Sequence, residues 1–454
     1  MKILILNGSP KGRYSITLQT SNYLEILHPE HEFSVLHLGA TIKSLERDFT
    51  EAKGKLEEAD LLVFSYPVYT FLAPYQLHRF IELIKESGVD LAGKFATQIT
   101  TSKHFYDVTA HKYVEENALD LGLNFVQGLS ADMDDLTTKK GREQAEKFFD
   151  YLMFSIENEL FVNNNVQNSD FSPVMFEYET IPAVEKNGDV VIVTDCEEDN
   201  ESLSCMISYF EQKFPLKTRV INIRECNIKG GCLGCFGCAT NGKCVYNDGF
   251  DSFLREKIQT ADSIIYAFTV KDHSMGSRFK MYDDRQFCNG HRTVTIGMPV
   301  GYLVSGNLSA EENLRTVLAA RADVGSNFLA GIATDESDPM LQIDKLVQNL
   351  TYALKNKYQP PQSFYGIGGM KIFRDLIWLM QGMMKADHKF FKSHKQYDFP
   401  QKKRGMMLKM YLVGALISSP KIKAKMGNKM NEGMIAPYKK ALDIARVRMD
   451  KSNK

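Results

Sequence analysis

The chain has 454 residues, with 55 Lys and Arg against 56 Asp and Glu, so its formal net charge of −1 supplies no bulk attraction to nucleic acid or to an acidic polymer. Hydrophobic residues make up 44% of it, which suits two or three domains with buried cores and excludes a disordered chain. The charge is uneven: from Pro361 onward 20 Lys and Arg stand against 6 Asp and Glu, a basic module on an acidic body.

The opening MKILILNGSPKG has an apolar run too short for a signal peptide and breaks at once into a Gly-Ser-Pro turn, so it reads as a first strand. Further strands are expected in EFSVLHL from Glu32, ADLLVFSY from Ala59, KFATQITTS from Lys94 and LNFVQGLSA from Leu123. Stretches of helical period, such as residues 74–86 and 111–121, lie between them. Five strands with helical crossovers imply a doubly wound parallel sheet over residues 1–160.

After the first strand stands Gly8-Ser9-Pro10-Lys11-Gly12-Arg13-Tyr14-Ser15-Ile16-Thr17, then a helical pattern. Glycines and hydroxyls before a helix N-terminus can hold a phosphate, because loose N–H donors and the helix dipole both favour an anion. Ser9, Ser15 and Thr17 would give hydroxyls and Lys11 or Arg13 charge; an ordinary strand-to-helix turn would have the same letters. The loop does not fit G-x-G-x-x-G, which favours a monophosphate over a dinucleotide. Following the third strand, Pro67-Val68-Tyr69 is a Pro-fixed loop whose aromatic ring could flank a flat heterocycle.

A second copy covers residues 186–357, with strands expected in DVVIVTD from Asp189, TRVINIRE from Thr218, ADSIIYAFTV from Ala261, RTVTIGMPV from Arg292 and SNFLAGIATD from Ser326. Its most specific echo sets Asn124-Phe125-x-x-Gly128 against Asn327-Phe328-x-x-Gly331. Pairing Val35 with Val220 and Ala59 with Ala261 gives offsets of 185 and 202, so copy two carries an insertion of 17 residues between its second and third strands. Where copy one has its phosphate loop, copy two has Asp195-Cys196-Glu197-Glu198-Asp199, whose carboxylates would repel a phosphate, and Thr269 and Lys271 replace Pro67 and Tyr69.

The insertion holds Cys232, Cys235, Cys238 and Cys244 in CLGCFGCATNGKC, within the loop 226–249. Thiolates so close cannot all pair as unstrained disulfides, and the spacing fits a [4Fe-4S] cluster better than the two separated pairs of structural zinc sites; zinc and free thiols remain the alternatives. All eight cysteines fall between Cys196 and Cys288, which points to a reducing, cytoplasmic compartment. Cys196, Cys205 and Cys288 read as small packed side chains, Cys226, nearer the loop, keeps ligation as an alternative, and His78, His104 and His273 read as structural or solvent-facing.

The basic segment 361–454 contains 11 of the 20 methionines and the only tryptophan, Trp378. Residues 371–391 and 406–417 read as helices, expected either to pack over the sheets or to offer an adaptable surface to a redox partner or anionic lipid. No stretch approaches the ~20 apolar residues of a membrane span.

Taken together, these motifs resemble the flavodoxin-like NAD(P)H-dependent FMN reductases and, within them, the iron-sulfur flavoproteins. Ser9, Pro10, Ser15 and Thr17 match the family's G-S-P-R-x-x-S-N-T loop, with Lys11 for Arg and Ile16 for Asn. Pro67-Val68-Tyr69 is similar to its isoalloxazine loop and Thr101-Ser102 to its next flavin-side loop, while the cysteine run with Asp248 resembles its cluster motif and Lys280 and Asp284-Arg285 resemble its helix after the third strand. The resemblance covers residues 1–355 and implies two flavodoxin-like domains, FMN in copy one and a [4Fe-4S] cluster in copy two. It further implies electrons from NAD(P)H passing through the flavin to a small-molecule or redox-protein acceptor. The fused copies would act as a built-in dimer that turns the flavin toward the cluster. An electron carrier without NAD(P)H activity and a zinc-stabilised binding module are the competing expectations.

Overall fold

The computed structural model describes residues 1–104, 106–163, 171–180, 186–399, 404–417 and 421. Runs such as KILILN become strands buried on both faces: Ile3 and Ile5 enter one apolar layer and Leu4 and Leu6 the other. Near-continuous apolar runs are the mark of a parallel sheet covered by helices on each side.

The first copy runs β1 (Lys2–Asn7), α1 (Ile16–Leu27), β2 (Glu32–Leu36), α2 (Leu38–Leu45), α3 (Thr50–Glu58), β3 (Leu61–Pro67), α4 (Tyr75–Ser87), β4 (Phe95–Ser102) and α5 (Val108–Asp120). It ends with β5 (Asn124–Phe125), β6 (Leu129–Asp132) and α6 (Lys139–Glu157). Its sheet has the parallel order β2-β1-β3-β4-β5, with β6 also on β4. The expected fifth strand is thus two short ones, interrupted at residues 126–128.

The second copy repeats the plan with β7 (Val190–Thr194), α7 (Glu201–Lys213), β8 (Thr218–Asn222), α8 (Gly237–Asn241), α9 (Phe250–Phe253), β9 (Ser263–Thr269), α10 (Gly276–Arg285), β10 (Pro299–Ser305), α11 (Glu312–Val324), β11 (Phe328–Thr334) and α12 (Pro339–Asn356). The order β8-β7-β9-β10-β11 is that of the first sheet. The strand expected from Arg292 begins only at Pro299, and residues 292–298 form an irregular approach to it. Both copies even share a turn: Tyr69 bridges Leu72 and Lys271 bridges Ser274, each around two residues of positive φ, Thr70-Phe71 and Asp272-His273.

The copies meet through α4 and α10 in a reciprocal pattern. Glu82 on α4 accepts from the amide and hydroxyl of Ser277 at the start of α10, at 2.7 and 2.6 Å. In return Asp284 on α10 accepts from the amide of Tyr75, the first residue of α4, at 2.8 Å. Ser277 and Asp284 stand 202 residues after Tyr75 and Glu82, so one contact is the other rotated, as in an isologous dimer. Each carboxylate caps the free N–H groups of the opposite helix. This explains why α4 buries Gln76, His78 and Glu82 beside Phe80 and Ile84. His78 stacks on Tyr113 at 4.0 Å, and burial next to Lys280 holds it well below its usual pKa, a structural role. His273 spans the copies, its two nitrogens 3.0 Å from Asp120 and from Glu311, and these carboxylates raise its pKa to about 10.

Two compact units divide the chain at His394/Lys395. In the first, the helix expected over residues 371–391 is broken into α13 (Phe364–Leu379) and α14 (Lys385–Ser393). Asp323 of α11 caps α13 through the amides of Ser363 and Gly366. From α14 the buried Asp387 accepts from the amide of His291 at 3.1 Å and its ring at 3.0 Å, seating this helix on the loop before β10. The second unit contains α15 (Arg404–Ile417), with Met406, Leu408, Tyr411 and Leu412 exposed among the described residues. No described helix is long and apolar enough to cross a membrane.

Candidate functional site

The loop after β1 is tied down from within. Asn7 donates to the Gly12 carbonyl at 2.9 Å, Ser9 Oγ accepts from the Lys11 amide at 3.3 Å, and Ser15 caps α1 by accepting from Leu18 N at 3.3 Å. Ser9, Ser15 and Thr17 are buried, at 2%, 1% and 1% exposure. Thr17 and Thr101 join their hydroxyls at 2.6 Å, so the structure brings the predicted phosphate loop and the predicted flavin-side loop together. Ser102 donates to Asp107 at 2.8 Å and is buried with Thr101. Pro67 ends β3, Val68 donates its amide to the Thr101 carbonyl at 3.1 Å, and Tyr69 continues the same edge.

Copy two answers the question of what this edge can hold. Ser202 and Ser305, the counterparts of Thr17 and Thr101, each donate at 2.6 Å to the buried carboxylate of Asp335, and the Gly306 amide adds a third bond at 2.8 Å. This position is therefore an anion site by construction. In copy two the chain fills it with its own carboxylate. In copy one no carboxylate bonds to Thr17 or Thr101 among the described residues. The acidic loop of copy two is closed further by Arg224, which donates to the Asp195 carbonyl and pairs with Glu197. Burial raises Asp195 to about 7.

The four predicted cysteines converge although each comes from a different turn of the 226–249 loop. Cys232, Cys235, Cys238 and Cys244 line one cavity of about 30 Å³, two or three times the space a water molecule needs. Among the described residues no three of these sulfurs lie within 4.8 Å of one another. A single zinc with bonds of ~2.3 Å would demand sulfurs ~3.8 Å apart. Burial pushes the Cys232 thiol up to about 12, against one backbone N–H from Gly234 at 3.4 Å. Cys288 lines the same cavity. At 44 residues beyond Cys244 it carried no spacing signal.

A buried ion pair braces the loop. Arg285 reaches from the end of α10 to make two bonds to Asp248, at 2.7 and 2.9 Å, and a third to the Gly230 carbonyl at 3.2 Å. Its guanidinium lies over Tyr246 and Phe250, 4.4 and 5.0 Å from the ring centres. Asp248 is held down at about 2 with Arg285 and the amides of Lys229 and Phe250 against it.

The two candidate sites touch across the copies. A Cβ on Gly231 would come within 2.4 Å of Tyr75, and one on Gly234 within 2.6 Å of the Tyr69 hydroxyl. Gly234 also has φ +60°, so a side chain there would be doubly opposed. Lys11 places its ammonium 5.6 Å from the Phe236 ring centre, and Tyr69 meets Phe287 edge-on at 6.2 Å. Burial, then Cys232, pushes the Tyr69 phenol well above its ordinary pKa. Lys11 and Tyr69 of the predicted flavin loops thus pack on the cysteine loop of the other copy.

Fold and site define the chain as a pair of fused flavodoxin-like domains. Residues 1–134 match the family model for the flavodoxin-like fold. Among solved structures the chain is similar to an NADH:FMN oxidoreductase in its apo form, at 22% identity over 34% of this chain and 89% of that one, TM-score 0.31. It is similar also to an FMN-dependent NADH-azoreductase from Bacillus anthracis in complex with FMN, at 15% identity over 33% and 98%, TM-score 0.27. A third is the flavoenzyme NAD(P)H:(acceptor) oxidoreductase FerB from Paracoccus denitrificans, at 20% identity over 34% and 97%, TM-score 0.27. Each likeness spans about one third of the chain, the size of one copy. No curated protein matches it.

Proposed function

We propose that the chain is an oxidoreductase that takes electrons from NAD(P)H through FMN in copy one to a [4Fe-4S] cluster in copy two, and on to an acceptor. The contact of Lys11 and Tyr69 with Phe236 and the Gly234 backbone carries the reading, since it sets two candidate cofactor sites side by side. When bound, a flavin exchanges two electrons with a nicotinamide and single electrons with an iron-sulfur cluster.

The residues fit both groups. Ser9, Ser15 and Thr17, with the leading amides of α1, would hold the phosphate, and Pro67, Val68, Tyr69, Thr101 and Ser102 the ring system. Cys232, Cys235, Cys238 and Cys244 would ligate the cluster. Tyr75, Phe236 and Phe287 pack at the junction between them, against Gly231, Lys11 and Tyr69. Asp335 supports a single flavin per chain, because it already satisfies the donors of the second anion site. Eight unpaired cysteines suit a reducing, cytoplasmic setting.

Rapid mixing of the anaerobic protein with NADH or NADPH tests the reading. Bleaching of a flavin band on mixing is the expected result; a flavin that bleaches only with a reduced ferredoxin would make the chain a carrier. A colourless, zinc-loaded protein would overturn the proposal.

A further inference from the structure

Copy two contains a cavity of about 180 Å³ that belongs to neither candidate cofactor site. It lies under α10 and α11, toward the ends where β9 and β10 begin, away from the loop that answers the phosphate loop. Thr293, Val294 and Thr295, expected as strand, are part of its wall. Thr70, beside Tyr69, reaches it from copy one.

The duplication supplies an internal control. At the positions matching Tyr266 and Asp283, copy one has Phe64 and Ile81, packed at 1% and 0% exposure, and Arg321 answers Asn117, whose side-chain amide donates to the carbonyls of Tyr113 and Asp272. Two apolar side chains have become polar ones around a hollow, and a hydrogen-bonded amide has become a guanidinium. Loss of packing alone would not place a guanidinium, a carboxylate and a phenol on one space, since each is costly to bury without a partner. A fourth group joins them: Tyr302, on the strand next to Tyr266, its ring 5.4 Å away.

These groups are incompletely satisfied. Arg321 pairs with Asp283, which Lys280 also engages at 3.2 Å, but its Nε is buried with no hydrogen-bond partner. Burial lowers Arg321 to about 10, so it is an under-solvated cation at neutral pH. The hydroxyls of Tyr266 and Tyr302 make no hydrogen bond among the described residues. Arg292, ion-paired with Asp387 at 3.4 Å, also lines the wall; Met275, Phe279, Val300 and Leu318 give it an apolar side, and Gln286, Asn289 and Asn327 are among its polar residues. An apolar cavity of ~150 Å³ takes one benzene ring. The donors favour an oxyanion.

We propose that this cavity binds a single-ring aromatic carboxylate, its carboxylate on Arg321, Tyr266 and Tyr302 and its ring against Phe279, Met275 and Val300. The inference stands without either cofactor, so its failure and that of the redox reading are separate results.

The test is equilibrium binding of 4-fluorobenzoate to the full chain as purified, read by fluorine NMR, with 4-fluorobenzamide as the neutral control. Saturable binding of the carboxylate, at least ~10-fold tighter than the amide, is expected. Arg321→Met should weaken it by ~10-fold or more and Tyr302→Phe by ~3- to 10-fold. Should Arg321→Met misfold by leaving Asp283 short of a partner, Tyr266→Phe serves instead, since it installs the ring that copy one carries at Phe64. Wild-type protein with no saturable binding up to ~10 mM, equal affinity for the amide, or tyrosine variants that bind like wild type would each overturn the proposal.

Discussion

Replacing Arg285 by Met keeps most of the side-chain volume and removes the cation that braces the cysteine loop. Asp248, with a side chain at 0% exposure, would then keep only the amides of Lys229 and Phe250, each 3.2 Å away. Two routes give the cost. Holding Asp248 at about 2 instead of 3.8 is worth about 2.5 kcal/mol at ~1.4 kcal/mol per pKa unit. Breaking a buried pair from one side typically costs ~3–5 kcal/mol, because the stranded charge has lost its partner. A loss of about 3 kcal/mol should lower the urea midpoint of the full chain by about 1 M at an m-value near 3 kcal/mol per M. Asp248→Asn should cost a similar amount, and the Arg285→Met/Asp248→Asn double variant less than the sum, since both singles break one interaction. The depressed carboxylate stabilises the fold above its unfolded value of about 3.8, a contribution lost as pH falls through about 2. Arg285→Met should therefore begin to unfold at a higher pH on acid titration. An unchanged midpoint, or a double variant that is strictly additive, would refute the bracing role.

Gly234→Ala, which meets the Tyr69 hydroxyl and a left-handed backbone, should cost ~1–3 kcal/mol and lower the iron retained on anaerobic purification, while flavin content holds. His273, raised to about 10, should stabilise the chain fully below about pH 6.5 and lose that stabilisation as pH rises through about 10, by at most about 5 kcal/mol. His273→Gln should flatten the melting profile across that window. Ending the chain at His394 should leave a soluble, folded protein, whereas ending it at residue 360 removes the partners of Asp323 and His291 and should give insoluble material; the soluble fraction of each decides this.

The two sheets were legible because buried parallel strands write their apolar runs without interruption, and the cysteine loop because its spacing is short and local. Three features were not. The strand expected from Arg292 shares an alternating Thr/Val pattern with real strands, but residues 293–295 line a cavity rather than a ladder. The helix expected over residues 371–391 breaks between Leu379 and Lys385, and its second piece carries Asp387 to the His291 amide, a contact nearly 100 residues distant. Glu82, Asp284 and Asp335 are acidic residues whose partners lie across the copies or the sheet, so their roles appear only in three dimensions. The internal duplication was readable in outline, and it is the comparison of the copies that gives Asp335 its meaning.

Counting FMN, iron and acid-labile sulfide per chain on anaerobically purified protein tests the central claim most directly. The account predicts about one FMN with about four iron and four sulfide. Two FMN per chain, or one zinc with neither iron nor sulfide, would contradict it.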